Sequence, residues 1–257
     1  MSALLAASLA TLVFCAPGYP GGAGDAQPLL DQFTKAAVAV SGWPAESLAA
    51  VYDPTEEGGL ARLRSADAAL AFVPYPFFVE HAAELHLTPL VQADVADVGP
   101  QQRWTLVAKS GRVNGPASMQ GYTLLSVAGY ARNFVRKFAL EGWPLPADVR
   151  IESTGQVLSA LRRVTAGEPV AVLLDQTQAA ALPSLPFATD LKVVTQSAEL
   201  PVALLALIDA RLSSARAQAL KAGLLKMGQS SGSAGVLAPL HLRGFVQPQL
   251  PSHPAPP

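Results

Sequence analysis

Residues 67–78 read DAALAFVPYPFF, and the parsing of this stretch decides the architecture of the chain. Ala68 to Val73 is an apolar run of strand length with no polar alternation. A strand with one wet face would alternate, so this one reads as buried on both faces, in a mostly parallel sheet covered by helices. Pro74 and Pro76 break the run, and Phe77 to Leu85 takes up a helical pattern. The same alternation extends outward. Glu56 to Arg64 reads as a short helix before the run, and Leu87 to Val91 as a short strand after it. Further upstream, Thr11 to Ala16 reads as a buried first strand entering a glycine-rich turn. From Asp25 onward Leu29, Leu30, Phe33, Ala36, Ala37 and Val40 share one helical face, stopped by Gly42 and Pro44.

Downstream a second strand–helix series begins. It runs through strand Trp104 to Lys109, strand Tyr122 to Ser126, helix Tyr130 to Leu140, strand Val149 to Glu152 and helix Gln156 to Thr165. Strand Val170 to Leu174, helix Gln176 to Ala181 and strand Leu191 to Thr195 follow. Strand Val202 to Ile208, a long helix from Ser213 or Ser214 toward Met227 and a last helix Ser230 to Leu237 close the pattern. No internal repeat is close enough for a solenoid, so the two series predict two α/β lobes.

Composition narrows the function. The chain has 257 residues, long enough to fold without disulfides or a structural metal. Its 18 Lys plus Arg against 19 Asp plus Glu give a net charge of −1, which supplies no general attraction to nucleic acid or to an anionic membrane. One cysteine and four histidines show no zinc or thiol-redox spacing, so no metal and no cofactor are expected. No GxSxG elbow, Walker lysine loop or HExxH pair occurs, and no positioned acid/base pair can be identified, so no catalytic residue is named. Residues 1–10 read as a leader remnant lacking the basic n-region, with a small-residue cleavage position after Ala10. Cys15 follows Phe14 and reads as a buried strand residue, not a lipid anchor. Residues 247–257 read as a flexible Pro-rich tail.

Ligands of open α/β sheets gather at the carboxyl ends of strands, where helix amides are free. Five such ends carry candidate groups. Tyr19 lies in the turn Pro17-Gly18-Tyr19-Pro20, and Tyr75 lies in Pro74-Tyr75-Pro76. Ser126-Val127-Ala128-Gly129-Tyr130 precedes a helix, in which Arg132 and Arg136 are expected to solvate the outer face. Glu152 leads into Ser153-Thr154-Gly155, where a hydroxyl caps the next helix. Asp175 follows strand Val170 to Leu174 and can both cap a helix and accept a hydrogen bond from a ligand.

The order of several segments resembles the periplasmic phosphate, phosphite and phosphonate substrate-binding proteins of ABC transporters, members of the type 2 periplasmic-binding fold. Those segments are APGYPGG at 16–22, DAALAFVPYPFF at 67–78, RWTLVAKSGR at 103–112, MQGYTLLSV at 119–127, RRVTAGEPVAVLLDQ at 162–176, LKVVTQSAELPVALLAL at 191–207 and LAPLHLRGFV at 237–246. The resemblance implies two lobes, each a mixed mostly parallel sheet flanked by helices. Lobe 1 would comprise 11–101 and 201–246, and lobe 2 would comprise 102–200, with crossings near Gln101 to Trp104 and Thr195 to Pro201. It implies a ligand held between lobes by Tyr19, Tyr75 and Ser126 through Tyr130, with Glu152 and Asp175 meeting an amino group. Relatives that bind phosphonates tightly carry Ser-Thr-Ser-Gly where this chain reads Ser126-Val127-Ala128-Gly129. Two missing charge-assisted bonds of roughly 1.5–3 kcal/mol each weaken a phosphonate by on the order of a hundredfold or more.

The function expected on these grounds is an extracytoplasmic, non-enzymatic solute-binding protein. It would be a monomer in the periplasm or on the outer cell surface, capturing a small anionic or polar solute for a membrane ABC permease. A ligandless sensor or partner-binding module on the same fold is the alternative, with an enzyme ranking third. The incomplete leader keeps a cytoplasmic location open.

Overall fold

The computed structural model describes residues 9–19, 22–209, 211–229 and 233–251. The chain order begins β1 (Ala10–Cys15), α1 (Ala23–Ser41), β2 (Leu48–Asp53), α2 (Glu56–Leu63), β3 (Ala68–Pro74), α3 (Tyr75–His81) and β4 (Leu87–Val95). After the short β5 (Gln101–Gln102) come β6 (Thr105–Lys109), β7 (Thr123–Ser126), α4 (Arg132–Phe134), β8 (Arg150–Ser153), α5 (Val157–Ala166), β9 (Val170–Leu174), α6 (Gln176–Ala181) and β10 (Leu191–Gln196). The short β11 (Leu200–Pro201) then leads to β12 (Ala203–Ile208), α7 (Ser214–Met227), α8 (Ala234–Leu237) and β13 (Leu242–Val246).

These elements divide into two units. The first holds the chain up to Ala16, resumes before α1 and runs to Pro100, then returns at Pro201; the second holds Gln101–Leu200. The turn that carries Gly18 and Tyr19 packs with the second unit, although the strand before it and the helix after it belong to the first. Strands β5 and β11, at the two crossings of the chain, pair with each other.

The first unit is a six-stranded sheet in the order β13-β4-β12-β3-β1-β2. β1 pairs in parallel with both β2 and β3, whereas β12 lies antiparallel between β3 and β4. The unbroken apolar run is therefore an interior strand, with Leu70 and Ala71 fully buried. On one face Phe14 meets Phe33 edge-on at 5.7 Å and Phe72 at 4.9 Å, and Phe245 closes the cluster. Helix α7 lies against α1 so closely that a side chain at Gly223 would stand 2.7 Å from the Val40 carbonyl oxygen. Arg216 of α7 stacks its guanidinium 4.0 Å over the Trp43 ring.

The second unit is a five-stranded sheet in the order β10-β6-β9-β7-β8. β7 is parallel to β8 and β9, while β6 runs antiparallel to β9 and to β10. Both sheets are thus mixed, with most strands pointing one way, and helices flank them. Helix α5 buries Ala160, Leu161 and Val164 on β9, and Trp104 is wholly buried against Phe134 at 5.2 Å. No helix among the described residues is long and apolar enough to cross a membrane.

The structure departs from the sequence expectations at several points. Strand β2 was not anticipated, because Leu48-Ala49-Ala50 has little strand preference of its own; parallel pairing with β1 supplies its hydrogen bonds. The closing β13 is likewise a strand only by virtue of β4 beside it. The break at Pro74-Tyr75-Pro76 is itself the start of α3, since a proline in the first helical turn gives up an amide that has no partner there anyway. The helix expected over 130–140 is a three-residue α-turn followed by a π-helical turn, Val135–Ala139. Ala10, where a leader cut would fall, is the buried first residue of β1; residues 1–8 lie outside the described residues. In the tail, the Gln249 amide donates to Gln92 Oε1 at 2.9 Å, so that residue is held on β4, and 252–257 lie outside the described residues.

Candidate functional site

Parallel pairing places three strand ends of the second unit side by side, with Ser126 of β7 opposite both Ser153 of β8 and Leu173 of β9. Ser126 is fully buried. Its hydroxyl donates to the Leu173 carbonyl at 2.8 Å and accepts from the Ala128 N–H at 3.1 Å, so it acts as a strut within the turn. Its carbonyl accepts from the Gly129 and Thr154 amides at 3.1 and 2.9 Å. Val127 and Ala128 are buried, and Tyr130 is half-buried where the turn enters α4. Gly129 is obligatory: a Cβ there would overlap the Glu152 carbonyl and stand 2.5 Å from the Ser153 nitrogen.

The turn Pro17-Gly18-Tyr19 lies on this platform. Gly18 has φ +84°, and a side chain there would come 2.6 Å from the Val127 carbonyl oxygen, so only glycine allows the approach. The turn presents Tyr19, whose Oη donates to Asp175 Oδ2 at 3.3 Å, long for an O–H···O bond. Asp175 is 5% exposed. Its Oδ1 accepts from the Gln178 N–H at 2.8 Å while its own N–H donates to Gln178 Oε1 at 3.2 Å, a reciprocal capping box at the start of α6. Burial pushes the Asp175 carboxyl above its usual range, against the opposing pull of hydrogen bonds from Gln178, Tyr19 and Thr177. Burial, then the neighbouring carboxylate, pushes the Tyr19 phenol strongly upward, so it stays a neutral donor. Gln176 and Gln102, which no sequence pattern singles out, tie α6 to the chain just past the crossing: the Gln176 amide approaches Gln102 Oε1 at 3.5 Å and the Arg103 N–H donates to Gln176 Oε1 at 3.3 Å.

Other candidates lie elsewhere. The Glu152 carboxylate is 54% exposed and 4.0 Å from Arg150 Nε; only its backbone carbonyl enters the platform, beneath Gly129. Tyr75 belongs to the first unit, where it opens α3, is 3% exposed, donates its N–H to the Val202 carbonyl at 3.0 Å and stacks on Phe78. Burial pushes its phenol up to about 12. Arg136, expected to solvate a helix face, instead donates to the carbonyls of Leu145, Pro146 and Val149 at 3.0–3.3 Å and holds that loop. The structure therefore brings Tyr19, Ser126, Val127, Ala128, Gly129 and Asp175 together and does not bring the Glu152 carboxylate to them.

Chemically, this cluster offers a buried carboxylate and a tyrosine hydroxyl on a rigid backbone turn. The Ser126 hydroxyl meets a carbonyl, not a base. Burial pushes the Cys15 thiol up to about 12, and its Sγ faces the Thr55 carbonyl at 3.4 Å. Neither group is an activated nucleophile.

No protein-family model matches the chain, and no curated protein sequence matches it. Its fold, by contrast, recurs among solved structures. XAC2383 from Xanthomonas citri, solved bound to chloride ion, is similar with a TM-score of 0.69 at 15% identity over 94% of this chain and 92% of that one. The ATP-bound structure of the same protein gives 0.67. A binding protein component of an ABC phosphonate transporter from Pseudomonas aeruginosa gives 0.59 at 17% identity, over 93% of this chain and 81% of that one. A histidine kinase sensor domain with similarity to periplasmic binding proteins gives 0.52 at 18% identity, over 94% and 99%. The chain thus has the two-lobed type 2 periplasmic-binding fold.

Proposed function

We propose that this chain is a non-enzymatic, extracytoplasmic solute-binding protein. It would act as a monomer in the periplasm or on the outer cell surface and pass a small polar solute to an ABC permease. One observation carries the reading: a fold shared over 93% of this chain with a binding protein component of an ABC phosphonate transporter holds a buried carboxylate, Asp175, at a strand end under a tyrosine hydroxyl. We further propose that the solute presents an amine or another strong donor to Asp175. A bare oxyanion placed there would meet a buried negative charge. It would also find no hydroxyl at Val127 or Ala128, and the Ser126 hydroxyl is already donating to Leu173. An acidic solute is accommodated only when its cationic end faces Asp175.

Native mass spectrometry of gently purified protein, looking for a retained ligand, tests capture directly. Titration calorimetry with 2-aminoethylphosphonate, methylphosphonate, phosphate and arginine then tests the class. Amine-bearing probes are expected to bind, and Asp175→Asn to weaken them by tenfold or more. Equal binding of methylphosphonate and its amine-bearing analogue would refute the amine assignment; no retained mass and no heat with any probe would refute capture. Sequencing the N-terminus of the mature native protein tests the location. The second reading, a sensor module, is favoured by the likeness to the histidine kinase sensor domain. Co-purification of the native protein with a signalling partner and without a small ligand would establish it.

A further inference from the structure

Gln92 is a polar side chain in the interior of the first unit's sheet. It belongs to β4, lies between Leu204 of β12 and Val246 of β13, and is fully buried. A primary amide is tolerated there only when its donor and its acceptor are both matched. Its Nε2 donates to the Pro100 carbonyl at 2.6 Å, and its Oε1 accepts from the Gln249 N–H at 2.9 Å. The two partners demand the same orientation, because a reversed amide would set Nε2 against the Gln249 N–H and Oε1 against the Pro100 carbonyl. Gln249 thus helps to decide which way the buried amide points.

Pro100 is the last residue of the first unit before the chain crosses, and its carbonyl also accepts from the Val202 N–H at 3.1 Å, just after the chain returns. The Val202 carbonyl in turn accepts from the Tyr75 N–H at 3.0 Å, at the start of α3. A continuous run of hydrogen bonds inside the first unit therefore joins the segment after β13 to both passages of the chain. Residues 247–251 read Gln-Pro-Gln-Leu-Pro. Every residue of this segment except Gln249 is a proline or precedes one, which restricts its backbone and lowers the cost of ordering it. We propose that this segment is a strap that latches the crossing, with the Gln249 N–H and Gln92 as the latch. Hinges concentrate their φ/ψ change in a few residues between elements, so a latch on the Pro100 carbonyl sets how readily the crossing bends.

Amide hydrogen exchange measured by NMR on the full chain tests the strap. In the unaltered chain the Gln249 amide is expected to exchange about tenfold or more slower than in an unstructured peptide. Gln249→Pro removes that N–H and is expected to speed exchange at Val202 by about tenfold, the worth of roughly one hydrogen bond, with the amides inside β1 and β9 unchanged. Gln249→Ala keeps the N–H and is expected to leave Val202 within about threefold of the parent. In a Gln92→Leu background, Gln249→Pro is expected to add nothing, because the latch acts through Gln92. The proposal is overturned if Gln249 exchanges at the peptide rate, if Gln249→Pro leaves Val202 unmoved, if Gln249→Ala matches it, or if β1 and β9 speed up to the same degree. The Gln249 rate is read on the unaltered chain and stays decisive if a variant does not fold. No ligand enters the experiment, so its result is independent of solute capture.

Discussion

Replacing Asp175 by Asn should make the protein more stable at neutral pH while weakening its hold on an amine-bearing solute. Asn caps a helix about as well as Asp, and its Oδ1 can still accept from the Gln178 N–H that Asp175 now receives at 2.8 Å. The Tyr19 contact, already long at 3.3 Å, can reverse direction, with the Asn amide donating to the phenol oxygen. What the substitution removes is the cost of burying a charge. Burial raises the carboxyl's pKa in the folded chain above its unfolded value near 3.9. Between the two values the native state keeps a proton that the unfolded state has released, so ν_N exceeds ν_U and the stability slope with pH is negative. The contribution is thus present below the unfolded pKa, is lost as pH rises through the folded pKa, and stays lost above it. Each unit of displacement corresponds to about 1.4 kcal/mol, and each kcal/mol to about 2–4 °C in Tm for a chain near this size. Urea melts of both proteins from pH 4 to 8 measure the difference. The Asn variant should gain on the parent as pH rises and then hold a constant lead. Parallel curves at every pH, or a less stable Asn variant at pH 7, would refute the reasoning.

Three further substitutions and one reagent probe the same framework. Gly129→Ala should destabilise by more than about 2 kcal/mol, because its Cβ meets backbone at Glu152 and Ser153 that no rotamer change can clear; thermal unfolding measures it. Ser126→Ala should cost about 1–3 kcal/mol by leaving the buried Leu173 carbonyl without its donor, and should do so with little pH dependence. Arg136→Ala should cost a similar amount by removing the donor that the carbonyls of Leu145, Pro146 and Val149 share, and should raise amide hydrogen exchange across 143–149. Cys15, buried and with its thiol pushed up to about 12, should resist a disulfide reagent at pH 8 in the folded chain and react at once in urea.

Fold and site differ in how far they were legible from the sequence, and the reason is the range of the interactions that make each. Strand Val170–Leu174 and helices Gln176–Ala181 and Ser214–Met227 match their expected bounds, because a doubly buried strand shows as an apolar run and a capped helix shows as Asp or Ser ahead of its periodic residues. Strand β2 was missed because Ala49 and Ala50 become strand only when β1 supplies partners. The π-helical turn was missed because an i→i+5 step, such as Leu140 N–H to the Val135 carbonyl, leaves the apolar face of 130–140 nearly unchanged.

At the site, the capping role of Asp175 was visible in its place between strand Val170 to Leu174 and the helix from Gln176, a local pattern. The contact that gives the same carboxylate its functional interest, Tyr19 at a separation of 156 residues, leaves no trace in any window of sequence. The glycines carry the connection between the two scales. Gly18 reads from sequence as part of a glycine-rich turn and Gly129 as a candidate ligand position, yet each is required because another chain segment, at Val127 or at Glu152, occupies the space of its missing side chain. The recognition chemistry is therefore not a set of residues added to a finished fold. The same close approaches that hold the strand ends together engage the Ser126 hydroxyl, bury Asp175 and bring Tyr19 to it, and under the proposed function they would set the sign of the group accepted.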